Sequence, residues 1–289
     1  MTYVWHLGVM VSLYIAVALS LNLVIGESGL LSVCQAAFYG IGAYASTLLV
    51  MKAHWSFGAS IIGTLVFASL SAICIGLPSL RLRGDYFVLA TLGFQIILYS
   101  VLYNWADLTN GPNGIPGIPP PRVFGIELAS PYRYCTASFA MAAVIGGFTL
   151  VIVRSPFGRL MQAVRDNEVA AASLGKNWLL VRLTAFAIGA GLTAVAGAFY
   201  AGYARYIDPT SFTVMESIFM VSIVVVGGAG NFRGPAVGAV VLVLLPEGLR
   251  FLQIPEAIAA NLRQVVYGMA LVLFMLFRPK GIAGKYGFD

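Results

Sequence analysis

The chain has 289 residues, of which 60% are hydrophobic and only 10% are charged. This composition excludes an ordinary soluble domain, and because a bilayer span takes roughly 20 apolar residues, the length allows about eight to ten spans. The net charge of +6 comes from basic residues scattered between apolar runs, a pattern that membrane topology explains better than nucleic-acid binding. We therefore predict an all-α, polytopic membrane helix bundle that forms one domain, residues 1–289.

The apolar runs predict about nine transmembrane spans in chain order: 6–25, 30–51, 57–80, 86–103, 135–153, 183–204, 214–226, 236–252 and 262–277. The first run follows no Lys or Arg, so it is interpreted as a retained span and not as a cleaved signal. The second run is rich in small residues, which permit close helix approach, and its glycines are expected to interrupt the helix. Cys34, Cys74 and Cys135 lie far apart, so neither a disulfide framework nor a metal site is predicted.

Two segments between the spans are dense in glycine and proline. Residues 104–134 contain TNGPNGIPGIPPPR, which excludes a long helix and favours turns and extended chain. Residues 227–235 read GGAGNFRGP, which predicts a tight interhelical turn, with a gate as the alternative.

The longest polar interruption in the second half is residues 154–182, which we call the hairpin segment. Pro156 suits a first helical turn, and apolar residues then recur at helical spacing: Phe157, Leu160, Met161 and Val164. Asp166 or Asn167 is expected to cap a second short helix, 169–174, which Gly175 closes in a left-handed conformation. The segment is predicted to be a docking surface for a soluble partner, and an amphipathic hairpin on the membrane surface is the alternative.

Lys and Arg counts predict the orientation. With the hairpin segment and the C-terminus on the cytoplasmic side, eleven of the 17 basic residues lie inside and six outside. The 104–134 loop is then extracytoplasmic. It is expected either to contact a binding protein or to cover the helices.

Motifs for catalysis are not recognisable in the sequence: there is no HExxH, GxSxG or Walker lysine loop, and no TVGYG filter. Glu27, Glu216 and Glu247 lie near predicted span ends, which favours interfacial acids satisfied by water or snorkelling partners over a proton relay. Many spans without an energy source indicate the membrane half of a pump whose ATPase is a separate chain. A stand-alone channel or an ion-coupled carrier is the alternative.

Six segments carry a family resemblance: 21–45 (LNLVIGESGLLSVCQAAFYGIGAYA), 80–94 (LRLRGDYFVLATLGF), 108–115 (LTNGPNGI), 155–175 (SPFGRLMQAVRDNEVAAASLG), 224–239 (VVVGGAGNFRGPAVGA) and 278–284 (RPKGIAG). The hairpin segment resembles the EAA loop of ABC importer permeases. Over nearly its full length the chain resembles the LivM-type permeases of branched-chain amino acid ABC transporters of the bacterial inner membrane.

The resemblance implies partners for this chain. They are a LivH-type second permease, two cytoplasmic ATPases that bind the ATP and Mg, and an extracytoplasmic solute-binding protein, with no cofactor in this chain and no enzyme activity of its own. It also implies that the ATPase contact falls on Arg159, Arg165, Asn167, Glu168, Ala171 and Gly175. The spacing from Glu168 to Gly175 is one residue longer than in the general EAAxxxG pattern, so individual contacts are expected to be displaced from those of other importers.

A second departure lies in the early glycine motif, where Leu31, Cys34 and Gln35 replace the Gln, Gly and His usual in related chains. If this segment lines the solute path, the path residues are Ser32, Cys34, Gln35, Phe38, Gly40, Gly42, Gly228 and Gly230. A helix-packing surface indifferent to solute is the alternative. The expected solutes are leucine, isoleucine and valine, with urea, short amides and aromatic acids as alternatives within the same importer class.

Overall fold

The computed structural model describes residues 2–82, 84–123, 125–250, 268–269 and 281–282, and most of these residues are helical. The helices are α1 Thr2–Asn22, α2 Gln35–Met51, α3 Phe57–Ser79, α4 Asp85–Asn104, α5 Ala106–Thr109, α6 Pro131–Arg154, α7 Pro156–Asp166, α8 Glu168–Ser173, α9 Trp178–Ala204, α10 Val214–Gly227 and α11 Arg233–Arg250. A π-helical turn, Leu23–Glu27, extends α1, and 3-10 turns occupy Gly111–Asn113 and Pro209–Phe212.

Five helical segments in the described part of the chain are long and apolar enough to cross a membrane: Tyr3–Glu27, Phe57–Ser79, Asp85–Asn104, Pro131–Arg154 and Trp178–Ala204. The prediction of about nine spans is not confirmed. The second and seventh predicted spans correspond to α2 and α10, with 17 and 14 residues, and the eighth to α11, whose apolar part is Arg233–Leu245. The predicted ninth span and the C-terminal motif lie almost wholly outside the described residues.

The start of the second predicted span is corrected by the structure. Residues 28–34 are irregular, and α2 begins at Gln35, five residues later than predicted. Gly40 and Gly42 do not interrupt the helix, because α2 continues unbroken through both. The break lies instead at Gly29, whose φ of 69° is a left-handed conformation that a side chain would strain.

Helices α1 and α9 form the buried centre, whereas α3, α4 and α6 expose most of their surface. Small residues bring the central helices together, as predicted. A Cβ on Gly42 would overlap the backbone of Ala194 in α9, and a Cβ on Gly197 would overlap the Tyr39 carbonyl of α2. Two glycines facing opposite backbones therefore set the distance between α2 and α9.

As predicted, the described part of residues 105–130 consists of turns and short elements, but residues 131–134 already belong to α6, which begins four residues before the predicted fifth span. Strand β1, Ile115–Pro116, pairs antiparallel with β4, Tyr206–Ile207, which follows α9. Strand β2, Arg122–Val123, pairs with β3, Ile126–Glu127. The first pairing fastens the loop to the end of α9, at the end of the bundle opposite the hairpin.

Candidate functional site

The hairpin segment folds as two short helices with regular caps. The Ser155 hydroxyl accepts a hydrogen bond from the Gly158 amide over 3.3 Å at the start of α7. Asn167, and not Asp166, caps α8, because its Oδ1 accepts from the Ala170 amide over 2.9 Å. Gly175 closes the helix with a φ of 75°. The predicted hairpin is therefore confirmed, and it is an ordered protrusion with its end groups satisfied.

The inner face of the hairpin is apolar and packs on the helical bundle. Met161 and Val164 of α7 are fully buried, and they form one cluster with Ala171 of α8, Leu23 and Val181. The apolar face of α7 is thus covered by the protein itself. This packing weighs against the alternative in which α7 lies with that face on lipid.

Two hydrogen bonds join the hairpin to the π-helical turn at the end of α1. Arg165 donates from Nη1 to the Gly26 carbonyl over 2.5 Å, and Gln162 donates from Nε2 to Glu27 Oε2 over 2.7 Å. The Arg165 side chain also lies against the Cβ-free side of Gly29. Arg165, predicted to contact the ATPase, therefore points inward, with only 12% of its side chain exposed.

Glu27 and Glu216 are satisfied by neighbouring side chains, where the sequence predicted water or snorkelling partners. Glu27 is only 3% exposed and bonds Gln162, while Glu216 accepts from the Tyr14 hydroxyl over 2.6 Å. The Glu247 side chain lies outside the described part of the structure.

A second charged contact joins α8 to α9. Glu168 Oε2 lies 2.7 Å from Nη1 of Arg182, and the Arg182 guanidinium stacks over the Trp178 ring at 5.5 Å from its centroid. Glu168 is therefore engaged within the chain and half-buried. Arg159, in contrast, is exposed, and its guanidinium bonds the Arg154 carbonyl over 3.4 Å.

The tip of the hairpin exposes two large apolar side chains, which the sequence interpretation missed. Val169 is 74% exposed and Leu174 is 79% exposed, although both flank polar and charged residues. Val169 lies in α8, whose Ala171 is buried, and Leu174 directly follows the last residue of that helix. Exposed apolar side chains on a polar, well-folded protrusion are typical of a protein-binding surface.

Behind the hairpin, a buried polar layer surrounds the start of α2. Ser32, Cys34 and Gln35 are all buried. Gln35 donates from Nε2 to Thr193 Oγ1, and that hydroxyl lies 2.8 Å from Ser20 Oγ of α1. The hydroxyl of Ser32 lies 3.2 Å from Cys34 Sγ. Three of the predicted path residues therefore lie together, linked to α9 and α1.

Gln95 of α4 holds the first turn of α2 from the other side. Its Oε1 accepts from the Ala37 amide over 2.7 Å and from the Ser217 hydroxyl over 2.9 Å. Its Nε2 donates to the Phe212 carbonyl over 2.8 Å. The sequence interpretation missed Gln95, Ser217 and Thr193, although polar residues within apolar helices are costly unless paired and so mark sites worth examining.

The remaining predicted path residues of α2 are packed against other helices. The Phe38 ring lies 5.6 Å from Phe94 and 5.4 Å from Phe186, centroid to centroid, and Gly40 faces the Phe212 ring. In this conformation the α2 residues form a packing surface, which is the alternative that the sequence left open.

The glycine turn after α10 contacts the π-helical turn. Gly230 has a φ of 75°, and its amide donates to Asn22 Oδ1 over 3.0 Å. Asn22 in return donates from Nδ2 to the Asn231 carbonyl over 3.2 Å. Gly228 also has a positive φ, of 104°. The π-helical turn thus has the hairpin on one side and the glycine turn on the other.

Comparison with known proteins agrees with this architecture. A family model described as the permease component of the branched-chain amino acid transport system matches residues 4–275. The chain is 33% identical to the high-affinity branched-chain amino acid transport system permease protein LivM of Salmonella typhimurium, over 96% of this chain and 69% of that one. Identity to LivM of Escherichia coli is 34%, over 93% and 67%, and to LivH of Salmonella typhimurium 25%, over 95% and 92%. No solved structure matches the chain.

Proposed function

This chain belongs to the branched-chain amino acid transport permease family, and from that membership we propose that it is the permease subunit of an ATP-driven importer. Its partners are a second, LivH-type permease, two ATPase chains that bind the nucleotide and its magnesium, and a solute-binding protein. The chain itself makes and breaks no bond in the solute. It lies in the bacterial inner membrane with the hairpin and the C-terminus on the cytoplasmic side.

The observation that carries the proposal is the hairpin, because one of its faces packs on the helical bundle and the other is exposed. Its inner face is buried and bonded to α1, while Val169 and Leu174 stand exposed at its tip. A soluble partner that covers both side chains gains apolar contact of about 1.5–3 kcal/mol for each one buried. We propose that the ATPase covers them, with Arg159, Asn167 and Gly175 at the rim of the contact.

The inward contacts suggest how movement passes into the membrane. When ATP binding closes the ATPases, the hairpin moves, and Arg165 and Gln162 carry the movement to the π-helical turn. Asn22 passes it to the glycine turn. The solute path between the two permeases, bordered by residues 32–42 and 228–230, then opens outward, and hydrolysis resets it inward. This is alternating access, in which two arrangements of a packed interface exchange.

Branched-chain amino acids are the proposed solutes, because the LivM relatives are named for them. Urea, short amides and aromatic acids are alternatives that the same scaffold would carry with another binding protein. Solute choice is therefore assigned in large part to that partner.

The test is uptake by the assembled complex in proteoliposomes. ATP inside and binding protein outside should together support leucine accumulation, which unlabelled isoleucine and valine suppress and urea does not. Uptake that needs neither ATPase nor nucleotide would support the channel or carrier alternative. Uptake of urea or an aromatic acid in place of leucine would keep the importer and change its solute.

A further inference from the structure

A cavity of about 340 Å³ lies beside the Glu168–Arg182 ion pair, at the hairpin end of the bundle. Its walls come from the irregular segment before α2, from the end of α3 and the start of α4, and from α8 and α9. The lining residues are Gly29, Leu30, Leu31, Leu80, Leu82, Gly84, Asp85, Phe87, Val88, Glu168, Trp178 and Arg182. The volume falls in the range of small-molecule sites.

One part of the cavity is charged. Arg182 uses Nη1 to bond Glu168, while its Nε is shielded from solvent and has no hydrogen-bond partner within the described ranges of the chain. A buried donor without an acceptor is unfavourable, and a carboxylate is the acceptor that a guanidinium binds best. Glu168 and Asp85 line the same cavity, and their carboxylates are the groups that suit an ammonium. Both charges of an amino acid therefore find partners here.

The other part of the cavity is aliphatic and aromatic. Leu30 and Phe87 are buried, at 6% and 4% exposure, whereas Leu31 is 37% exposed at the wall. Together with Val88 they form an apolar surface next to the charged groups. A branched aliphatic side chain matches such a surface, since its burial is favourable and requires no hydrogen bond.

We propose that this cavity is a binding site for a free, small aliphatic amino acid on the hairpin side of the membrane, next to the segment proposed to border the solute path. The ligand carboxylate binds Arg182, its ammonium binds Glu168 or Asp85, and its side chain lies against Leu31 and Val88. The ligand carboxylate competes with Glu168 for the Arg182 guanidinium. Resting on the proposed function, the consequence is that imported amino acid loosens α8 and slows the ATPase as it accumulates.

Direct binding tests the site without requiring transport. The permease complex, purified in nanodiscs without binding protein, is titrated with radiolabelled L-leucine. We expect saturable binding, weakened about tenfold or more in Leu31→Trp, which fills the cavity while leaving the Glu168–Arg182 pair in place. The matched control is Leu77→Trp, a similarly exposed leucine of α3, which should bind as the wild type does. Absence of saturable binding, or equal binding by both variants, would overturn the proposal.

Two leucine analogues test the charged contacts. Isocaproate lacks the ammonium group and isoamylamine lacks the carboxylate, so each loses charge-assisted bonds, and we expect both to bind about tenfold or more weakly than leucine. Binding of either analogue as tight as that of leucine would contradict the assigned contacts. Failure of leucine uptake by the complex would count against the proposed function, whereas failure of binding at this cavity with uptake intact would count against the site alone.

Discussion

Arg165 of the hairpin donates to the backbone carbonyl of Gly26, 139 residues earlier in the chain, over 2.5 Å. The bond ends on the π-helical turn of α1, the same turn that Asn22 connects to Gly230 on its other side. One arginine therefore joins the exposed hairpin to a turn that contacts two parts of the membrane bundle. The link is short and its guanidinium is shielded from water, so it is suited to carry displacement.

Arg165→Ala should uncouple the hairpin without releasing its partner. The Gly26 carbonyl loses a bond to a charged donor, which is worth about 1.5–3 kcal/mol, so leucine uptake should fall about tenfold or more. The ATPases should continue to co-purify, because the tip is unchanged. The control is Arg154→Ala, an exposed arginine just before α7, with an effect of at most about twofold. Equal uptake by the two variants would mean that the bond to Gly26 transmits nothing.

Gly42→Ala should destabilise the bundle, since its Cβ would overlap the Ala194 backbone, which cannot move without displacing α9. A loss of about 1–3 kcal/mol is expected for such overpacking. Gly93→Ala is the matched control in α4, where nothing lies within 4 Å of the new Cβ, and helix propensity favours alanine by about 1 kcal/mol. Thermal denaturation followed by fluorescence-detected gel filtration measures the unfolding midpoint. We expect this temperature to fall only for Gly42→Ala. A similar midpoint for both variants would contradict the close contact of α2 with α9.

Gln95→Leu should lower the unfolding temperature by leaving the Ser217 hydroxyl and the Phe212 carbonyl without this partner in the buried layer. Each unsatisfied buried group costs about 1–3 kcal/mol. Asn104→Leu is the control, an amide replaced at the exposed end of the same helix, with an expected change within about 0.5 kcal/mol. The same thermal assay applies. A Gln95→Leu unfolding midpoint equal to that of the control would show that the hydrogen bonds of Gln95 do not stabilise the bundle.

Local rules predicted the hairpin well. Pro156, Asn167 and Gly175 each start, restart or stop a helix through contacts with residues no more than a few positions away, so their roles follow from the sequence. The bounds of α3 and α4 were predicted within about two residues for a similar reason, because apolar runs end at charged or proline-containing turns.

Contacts between distant segments were not predictable in the same way. The inward direction of Arg165 depends on Gly26 and Gly29, and the partners of Gln95 lie on α2 and α10. The start of α2 at Gln35 likewise depends on side chains of other helices that satisfy its first amides. A hydropathy pattern contains none of this information, and it therefore extended the second span through an irregular segment.

Cys34 offers a test of whether that region borders the solute path. It is buried beside Ser32, so in a Cys74→Ser background a small hydrophilic thiol reagent should not reach it at rest. During ATP turnover with binding protein and leucine, we expect Cys34 to become labelled as the path opens. Cys135 of α6 is buried against Gly8 of α1, so it should stay unlabelled in both conditions. If Cys34 is not labelled, or is labelled equally with and without turnover, residues 32–42 do not border the solute path.

Docking at the hairpin tip tests whether this chain is the permease of an ATP-driven importer. Co-purification of the ATPases is compared for the wild type, for the double variant Val169→Asp with Leu174→Asp, and for the apolar control Val169→Met with Leu174→Met. Loss of two apolar contacts of about 1.5–3 kcal/mol each should weaken binding roughly a hundredfold or more. We expect the aspartate variant to keep its second permease and its unfolding temperature but to lose the ATPases, while the methionine variant keeps them. Retention of the ATPases by the aspartate variant, or their absence from the wild-type complex, would contradict docking of the ATPases at the hairpin tip.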